Sequence, residues 1–182
     1  MADTGGWRIG LGADRLGLGL KTRIRAQLER SGNVASVVDY GVQEADDDTP
    51  YPHIGFAVAT SVAQGAIDRA LLICGTGIGM AICANKVPGV RAAVAHDPYS
   101  LERCVLSNDC QVLAFGARII DPEIAVEFIG SWLRLSFDNE SPSNRKVALL
   151  HQYERRLEPD RTHVSRSTSP VTSDVLSAPG VR

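Results

Sequence analysis

The chain has 182 residues and a net charge of −2, and 44% of its residues are hydrophobic. This length favours one compact domain with a sizeable core, and the scattered charges lack the basic patch of a nucleic-acid or membrane-surface protein. No apolar run approaches the ~20 residues of a membrane helix, and the short polar N-terminus predicts no signal peptide. The sequence therefore predicts a cytoplasmic protein.

Short apolar segments alternate with helical patterns along the chain. In order, we predict a strand at 8–13, a helix at 18–30, a strand at 34–40, a helix at 54–64, a strand at 70–74, a helix at 78–86, a strand at 90–95, a helix at 99–107, a strand at 112–115 and helices at 122–135 and 143–155. This alternation indicates right-handed crossovers and a sheet covered on both faces. The predicted fold is a three-layer α/β/α, doubly wound (Rossmann-like) domain with a five-stranded parallel sheet.

The end of the chain differs in composition from the rest. From about residue 158 onward, Ser, Thr, Pro, Asp and Arg dominate and no periodicity is visible. Such a segment cannot bury enough apolar surface to fold. We therefore predict one domain at residues 1–157, which includes the last helix, and a disordered tail at residues 158–182.

Polar and reactive residues follow several of the predicted strands. Asp14, Cys74, His96 and Gly116 each stand at or just beyond a strand end. In open parallel sheets, ligands bind outside the carboxyl ends of the strands. We therefore expect these four segments to converge on one cleft.

The segment after the third predicted strand carries the strongest signal of chemistry. Cys74 ends a buried apolar run, and glycines at 75, 77 and 79 lead into the next helix. Glycines let backbone amides approach an anion without obstruction by Cβ atoms. A thiol beside such a loop has the outline of an active site.

Four interpretations of this segment compete. A dinucleotide-binding loop requires a third glycine where Met80 stands, and it follows the first strand of its fold. A cysteine phosphatase requires an arginine soon after the thiol, and residues 78–84 contain none. A tight glycine turn after a buried cysteine remains a purely structural alternative. The fourth interpretation is proton transfer on a small anionic substrate.

Several longer motifs resemble the ribose-5-phosphate isomerase type B family, which includes galactose-6-phosphate isomerase. They are Tyr51-Pro52-His53, residues 73–79, residues 84–92 and Gly116-Ala117-Arg118. The resemblance runs from about residue 8 to about residue 153. It implies an isomerase that interconverts aldose and ketose phosphates through a cis-enediolate, with no metal and no organic cofactor. It also implies a homodimer or a dimer of dimers.

The resemblance assigns roles to particular residues. Cys74 matches the base that moves a proton between C1 and C2, and Thr76 matches a hydroxyl that assists it. The loop amides match the group that stabilises the enediolate oxygen; they belong to Gly75, Gly77, Ile78 and Gly79. Asp14 matches a carboxylate that binds substrate hydroxyls. Asn108 and Arg118 match substrate and phosphate contacts across the homodimer interface.

Two departures from the family pattern concern positive charge. The family commonly has Asp-His after the first strand, whereas this chain has Asp14-Arg15. The basic motif near the C-terminus retains one cation, Lys146, where the family carries a pair of arginines. We expect Arg15 and Lys146 to bind the substrate, with Arg15 restoring the lost charge from the opposite side of the pocket.

A third departure bears on the substrate. The family motif His-Asn-Asp, whose histidine opens the furanose ring in ribose-5-phosphate enzymes, reads Ser107-Asn108-Asp109 here. A tetrose 4-phosphate cannot close a five-membered ring, because its O4 is phosphorylated. The favoured substrates are therefore erythrulose 4-phosphate and erythrose 4-phosphate, and the alternative pair is ribose 5-phosphate and ribulose 5-phosphate.

Two histidines and two other classes of function complete the expectations. His53 is expected to line the pocket, and His96 is expected to replace the missing acid/base group, with a structural hydrogen-bonding role as the alternative for each. A sugar-phosphate-binding protein without catalysis and a nucleotide-binding module remain the competing functions.

Overall fold

A computed structural model describes residues 5–157 as an α/β domain. The strands are β1 Trp7–Ala13, β2 Val34–Asp39, β3 Arg69–Cys74, β4 Ala92–Val94 and β5 Val112–Gly116. The helices are α1 Leu18–Glu29, α2 Tyr51–Ala63, α3 Ile78–Asn85, α4 Pro98–Leu106, α5 Pro122–Trp132 and α6 Asn144–Leu157. The tail predicted at 158–182 lies outside the described residues.

The sheet has five strands in the order β2-β1-β3-β5-β4, and every paired strand is parallel. The predicted fold class is thereby confirmed. Strand β1 connects to β2 on one side and lies beside β3 on the other, so the strand order reverses between β1 and β3. In doubly wound sheets, the crevice at such a reversal is the usual ligand site.

Alternate residues of the central strands pack into two separate hydrophobic cores. Leu71 and Ile73 of β3 pack with α1, α4 and α5 on one face, and Ala70 and Leu72 pack with α2 and α3 on the other. All the residues of β3 are buried, as expected for a strand covered on both faces. The sheet is therefore packed on both faces.

Most predicted boundaries lie within one or two residues of the structure, and three elements show informative differences. Helix α2 begins at Tyr51, earlier than expected, because a proline in its first turn is pre-organised for a helix start. Strand β4 is only three residues long and begins after Arg91. The Arg91 amide donates to the Gln111 side chain at 2.9 Å instead of to a backbone carbonyl of a neighbouring strand. Helix α5 ends at Trp132, where the Arg69 guanidinium donates to the carbonyls of Trp132 and Leu135.

Within residues 5–157, each helix is either too short or too polar to cross a bilayer.

Candidate active site

Cys74 lies at the carboxyl end of β3, opposite Gly116 of β5. Its side chain is buried, and the Gly77 amide donates a hydrogen bond to Sγ at 3.2 Å. Helix α3 begins directly after Gly77, so its positive N-terminal end faces the sulfur. The amide and the start of the helix hold the sulfur in place at the carboxyl edge of the sheet.

The loop after Cys74 is interlocked with the end of β5. Ala117 donates from its backbone to the Cys74 carbonyl at 2.8 Å, and Arg118 donates to the Gly75 carbonyl at 3.1 Å. Gly77 has a φ of 80°, and a Cβ atom there would lie 2.9 Å from the Phe115 carbonyl carbon. Only glycine meets both demands. The glycine spacing noted in the sequence therefore serves close backbone packing as well as open amides.

A cleft of about 330 Å³ opens beside this loop. It is lined by Asp14, Arg15, Leu16, Asp47, Asp48, Thr49, Pro50, Tyr51 and Arg118. Two lining residues border the loop: a Cβ atom on Gly75 would lie 3.2 Å from Leu16 Cδ1, and one on Gly79 would lie 2.7 Å from the Tyr51 ring. The loop and the cleft therefore form one site at the sheet reversal.

The cleft carries charges of both signs. Asp14 Oδ1 accepts from the amides of Leu16 and Gly17 at 2.9 and 3.1 Å, which fixes the carboxylate at the end of β1. Arg15 forms an exposed ion pair of 3.1 Å with Asp48. Within residues 5–157, Arg118 makes no salt bridge, so its guanidinium is open to an anionic ligand.

The β2–α2 loop was not predicted to line the site. Its Asp47 accepts from the side chain and backbone of Thr49, which lowers the pKa of that carboxyl. Asp47 and Asp48 belong to the acidic run Asp46-Asp47-Asp48, and that run ahead of a predicted helix was the available signal. In the part of the chain that the structure describes, no group of three or more His, Cys, Asp or Glu is arranged to hold a metal ion.

The two candidate histidines have different surroundings. His96 lies beyond β4, and its Nε2 accepts from the Gly116 amide at 2.8 Å. Partial burial lowers its pKa, although Asp97 raises it slightly. His53 is exposed in the first turn of α2. Asp14, Cys74, His96 and Gly116 lie at the same edge of the sheet, where Asp14 N also donates to Ile73 O at 3.2 Å. Of these four residues, Asp14 lines the cleft described above, so their convergence on one cleft stays a prediction.

Asn108 and Lys146 lie at the other edge of the sheet. Asn108 belongs to the turn between α4 and β5, so it precedes the strand whose far end holds Gly116. Lys146 is exposed on α6, whose His151 contacts Arg91 at the same edge. Within one subunit these two residues are not part of the Cys74 site.

Arg91 organises that second edge, which the sequence did not indicate. Its guanidinium donates to the carbonyls of Asn108 and Asp109 at 3.0 and 2.9 Å, and it pairs with the Asp109 carboxylate at 2.6 Å. Asp109 has a φ of 48°, and this left-handed turn exposes Asn108 to solvent. Arg91 was noted only as part of a family motif.

Comparison with known proteins resolves the family. The family model described as Ribose/Galactose Isomerase matches residues 9–150. The chain belongs to this isomerase family. It is 50% identical over 147 residues, 81% of this chain and 97% of the relative, to D-erythrulose-4-phosphate isomerase 2 of Mycolicibacterium smegmatis.

Two further family members match a similar share of the chain. D-erythrulose-4-phosphate isomerase of Pectobacterium atrosepticum is 42% identical, with coverage of 81% of this chain and 95% of the relative. The structure of Clostridium thermocellum ribose-5-phosphate isomerase B matches with a TM-score of 0.76 and 35% identity, and it covers 82% of this chain and 98% of that one. The predicted class, a sugar-phosphate isomerase, is confirmed.

Proposed function

We propose that this isomerase interconverts D-erythrulose 4-phosphate and D-erythrose 4-phosphate without a cofactor, with Cys74 as the base. The observation that carries the proposal is the Cys74 thiol, which the Gly77 amide holds at the start of α3. The loop that follows Cys74 borders a cleft that contains Asp14, Arg15 and Arg118. A group that can accept a proton, loop amides that can bind an anion and two guanidinium groups that can bind phosphate are thus adjacent.

The chemistry follows from these groups. The Cys74 thiolate takes a proton from C1 of the ketose, and the electrons of that C–H bond form the enediolate. Loop amides near Gly75 to Gly79 stabilise the developing negative oxygen, since preorganised backbone donors act most strongly at such charges. Cys74 then returns the proton to C2, while the Thr76 hydroxyl assists the exchange between O1 and O2. The overall reaction needs no oxidant.

The phosphate is assigned to two arginines at the Cys74 edge. Arg15 and Arg118 approach the same cleft from the loops after β1 and β5. A guanidinium holds phosphate through two parallel hydrogen bonds, whereas a lysine acts as a point charge. We therefore place the phosphate of a short substrate between these arginines, with Asp14 on its hydroxyls and His53 at the margin of the site.

Ser107, which stands where the family carries the ring-opening histidine, indicates the length of the substrate. Its hydroxyl lies 3.4 Å from Arg103, and no base is positioned to make it an acid/base catalyst among the residues described. A tetrose 4-phosphate is acyclic and needs no ring opening. Two relatives at 50% and 42% identity are named for D-erythrulose 4-phosphate, which supports the four-carbon pair over ribose 5-phosphate.

A homodimer is proposed because two residues expected to bind the substrate lie far from Cys74 within one subunit. Asn108 and Lys146 can reach a Cys74 site only if a second copy presents its opposite edge. Exposed apolar residues offer a face for that copy: Ile78 and Ile82 of α3 are 56% and 55% exposed. A dimer of dimers and a cytoplasmic location remain predictions.

The first test compares Cys74→Ala with Cys83→Ala, a second buried cysteine of the same region. Loss of the base should lower the rate by about 10²–10⁴-fold, whereas C83A should keep its activity. Incorporation of solvent deuterium at C2 of erythrose 4-phosphate, followed by NMR, reports the proton transfer directly. Equal exchange by C74A and wild type would exclude Cys74, and no exchange by wild type would favour a binding protein.

The second test addresses the substrate. We expect kcat/KM for erythrulose 4-phosphate to exceed that for ribose 5-phosphate, and Ser107→His to raise turnover of ribose 5-phosphate selectively. The opposite order in wild type would replace the proposed substrate by its five-carbon alternative.

The third test addresses the shared site. C74A and N108A are each expected to be weakly active, and a mixture refolded together should recover about a quarter of wild-type activity, because half of random dimers then carry one intact site. A mixture no more active than its components would show that the site is complete within one subunit.

A further inference from the structure

The Gly116 amide lies beyond the last ladder pair between β4 and β5. That ladder ends at Val94 and Ala114, while β5 continues to Gly116. Ala117 directs its amide to the Cys74 carbonyl on the β3 side, so the preceding amide points to the side where β4 has ended. A buried amide without an acceptor is costly. The His96 side chain supplies the acceptor, at 2.8 Å from the amide nitrogen.

This bond fixes the state of the His96 ring. Because a backbone amide can only donate, Nε2 must carry a lone pair, and neutral imidazole then has its proton on Nδ1. The ring stacks on Phe115 with centroids 6.3 Å apart, and burial favours the neutral form, while Asp97 is the charged neighbour that opposes this effect. While the bond exists, Nε2 is not free to accept a proton from substrate.

Gly116 in turn supports the loop that carries the chemistry. A Cβ atom on Gly116 would lie 2.6 Å from the Thr76 carbonyl carbon, so the two backbones are in direct contact. The amides of Ala117 and Arg118, which directly follow β5, donate to the carbonyls of Cys74 and Gly75. Any shift of Gly116 is therefore transmitted to Cys74 and Thr76.

We infer that His96 is a positioning residue: as a neutral Nδ1–H tautomer, it replaces the missing strand partner of Gly116 and thereby aligns the Cys74–Thr76 loop. This role differs from the direct acid/base role expected from the sequence. It rests on the isomerase activity proposed above, because the alignment of the loop is measured through its effect on the rate of that reaction.

The test compares two substitutions whose side chains carry the same amide group but differ in length by one methylene. In His96→Gln the side-chain carbonyl can occupy the place of Nε2, whereas in His96→Asn it is too short and mimics Nδ1. We expect H96Q to be at least about tenfold more active than H96N, the size of one backbone hydrogen bond, with H96N losing up to about 100-fold through misplacement of the loop. The loss should fall on kcat rather than KM, since the cleft arginines are unchanged.

Two further measurements keep the inference separate from the proposed function. Imidazole ¹⁵N shifts of wild type should show the Nδ1–H tautomer, and hydrogen exchange at the Gly116 amide should be fast in H96N and slow in H96Q. Asn85→Ala is the control, because Asn85 brackets the other end of β4 by bonding both the amide and the carbonyl of Ala92; it should lower stability without this effect on kcat.

The outcomes are distinguishable. Equal loss in H96Q and H96N, with an active wild type, would overturn the positioning role, and would favour direct proton transfer if the Gly116 amide stayed protected. An Nε2–H tautomer would also overturn it. An inactive wild type with the expected tautomer and exchange would instead refute the proposed function and leave the hydrogen-bonding role of His96 established.

Discussion

The buried ion pair between Lys21 and Asp39 supports one wall of the cleft, and its removal gives a quantitative prediction. The two side chains are 3% and 10% exposed, with Nζ at 2.8 Å from the nearer carboxylate oxygen. Lys21 also donates to the Val42 carbonyl at 2.6 Å. These contacts fasten the start of the β2–α2 loop, which carries Asp48 to the cleft. The substitution is Lys21→Met, which keeps the length of the side chain.

The magnitude follows from what K21M leaves behind. Breaking a buried pair by removing one partner costs about 3–5 kcal/mol, because the remaining charge is uncompensated. Asp39 keeps the Gly41 amide at 2.9 Å and Arg25 at 3.3 Å, so we expect the lower end, about 3 kcal/mol of unfolding free energy. The double variant K21M/D39N removes the stranded charge and should recover a substantial part.

Urea unfolding at fixed protein concentration measures the stability of both variants, since the proposed homodimer would make apparent stability depend on concentration. Arg23→Gln is the matched control: Arg23 pairs with Glu123 at the surface, where such a pair contributes at most about 1 kcal/mol. A loss below about 1 kcal/mol for K21M, or no recovery in the double variant, would refute the reasoning that a desolvated charge holds this loop.

Three other predictions concern glycine and pH. Gly19→Ala, in the first turn of α1 with open space around its Cβ position, should raise the free energy of unfolding by about 0.5 kcal/mol, and no change would contradict it. Gly116→Ala should lower both stability, by about 1–3 kcal/mol, and deuterium exchange into the product, since it forces Thr76 aside; wild-type activity would disprove the contact. Because burial lowers the pKa of His96, the unfolded state takes up the proton first as pH falls below about 6.5. The contribution of neutral His96 to the free energy of unfolding is therefore fully present above that pH and is lost as the pH falls below it. Between pH 8 and 5, the free energy of unfolding measured in urea should therefore depend less on pH in H96Q than in wild type.

Most of the fold could be predicted because the strands are uniformly apolar and the helices are bounded by prolines and glycines. Those signals are local: β3 is buried on both faces and reads as an unbroken apolar run. The order of β4 and β5 could not be predicted, because both crossovers have similar lengths and either strand could lie beside β3. The early end of β4 was also hidden, since Ala95 is buried although it has left the ladder.

The site could be predicted as far as strand ends specify it. Asp14 and Cys74 converge because parallel strands end at the same edge. The position of Asp48 could not be predicted because it lies in a loop of irregular conformation, which leaves no periodic pattern in the sequence. Tyr51 is the first residue of α2, and the same loop sets where that helix begins. The role of His96 could not be predicted for a related reason: its partner is the backbone amide of Gly116, and residue types carry no information about such a partner.

The topology also explains why substrate contacts expected from the sequence fall into two groups. A turn that precedes a parallel strand and a loop that follows it lie at opposite edges, and the five residues of β5 separate them by roughly 15 Å. Asn108 and Cys74 therefore cannot hold the same four-carbon molecule within one subunit. Arg15 and Arg118, by contrast, already lie beside the Cys74 loop. If the phosphate binds these arginines, subunit contact has only to deliver Asn108 to the sugar end, and a lysine suffices where the family carries arginines. The loss of positive charge from the C-terminal motif and its gain at Arg15 are then two parts of one change in where the phosphate is held.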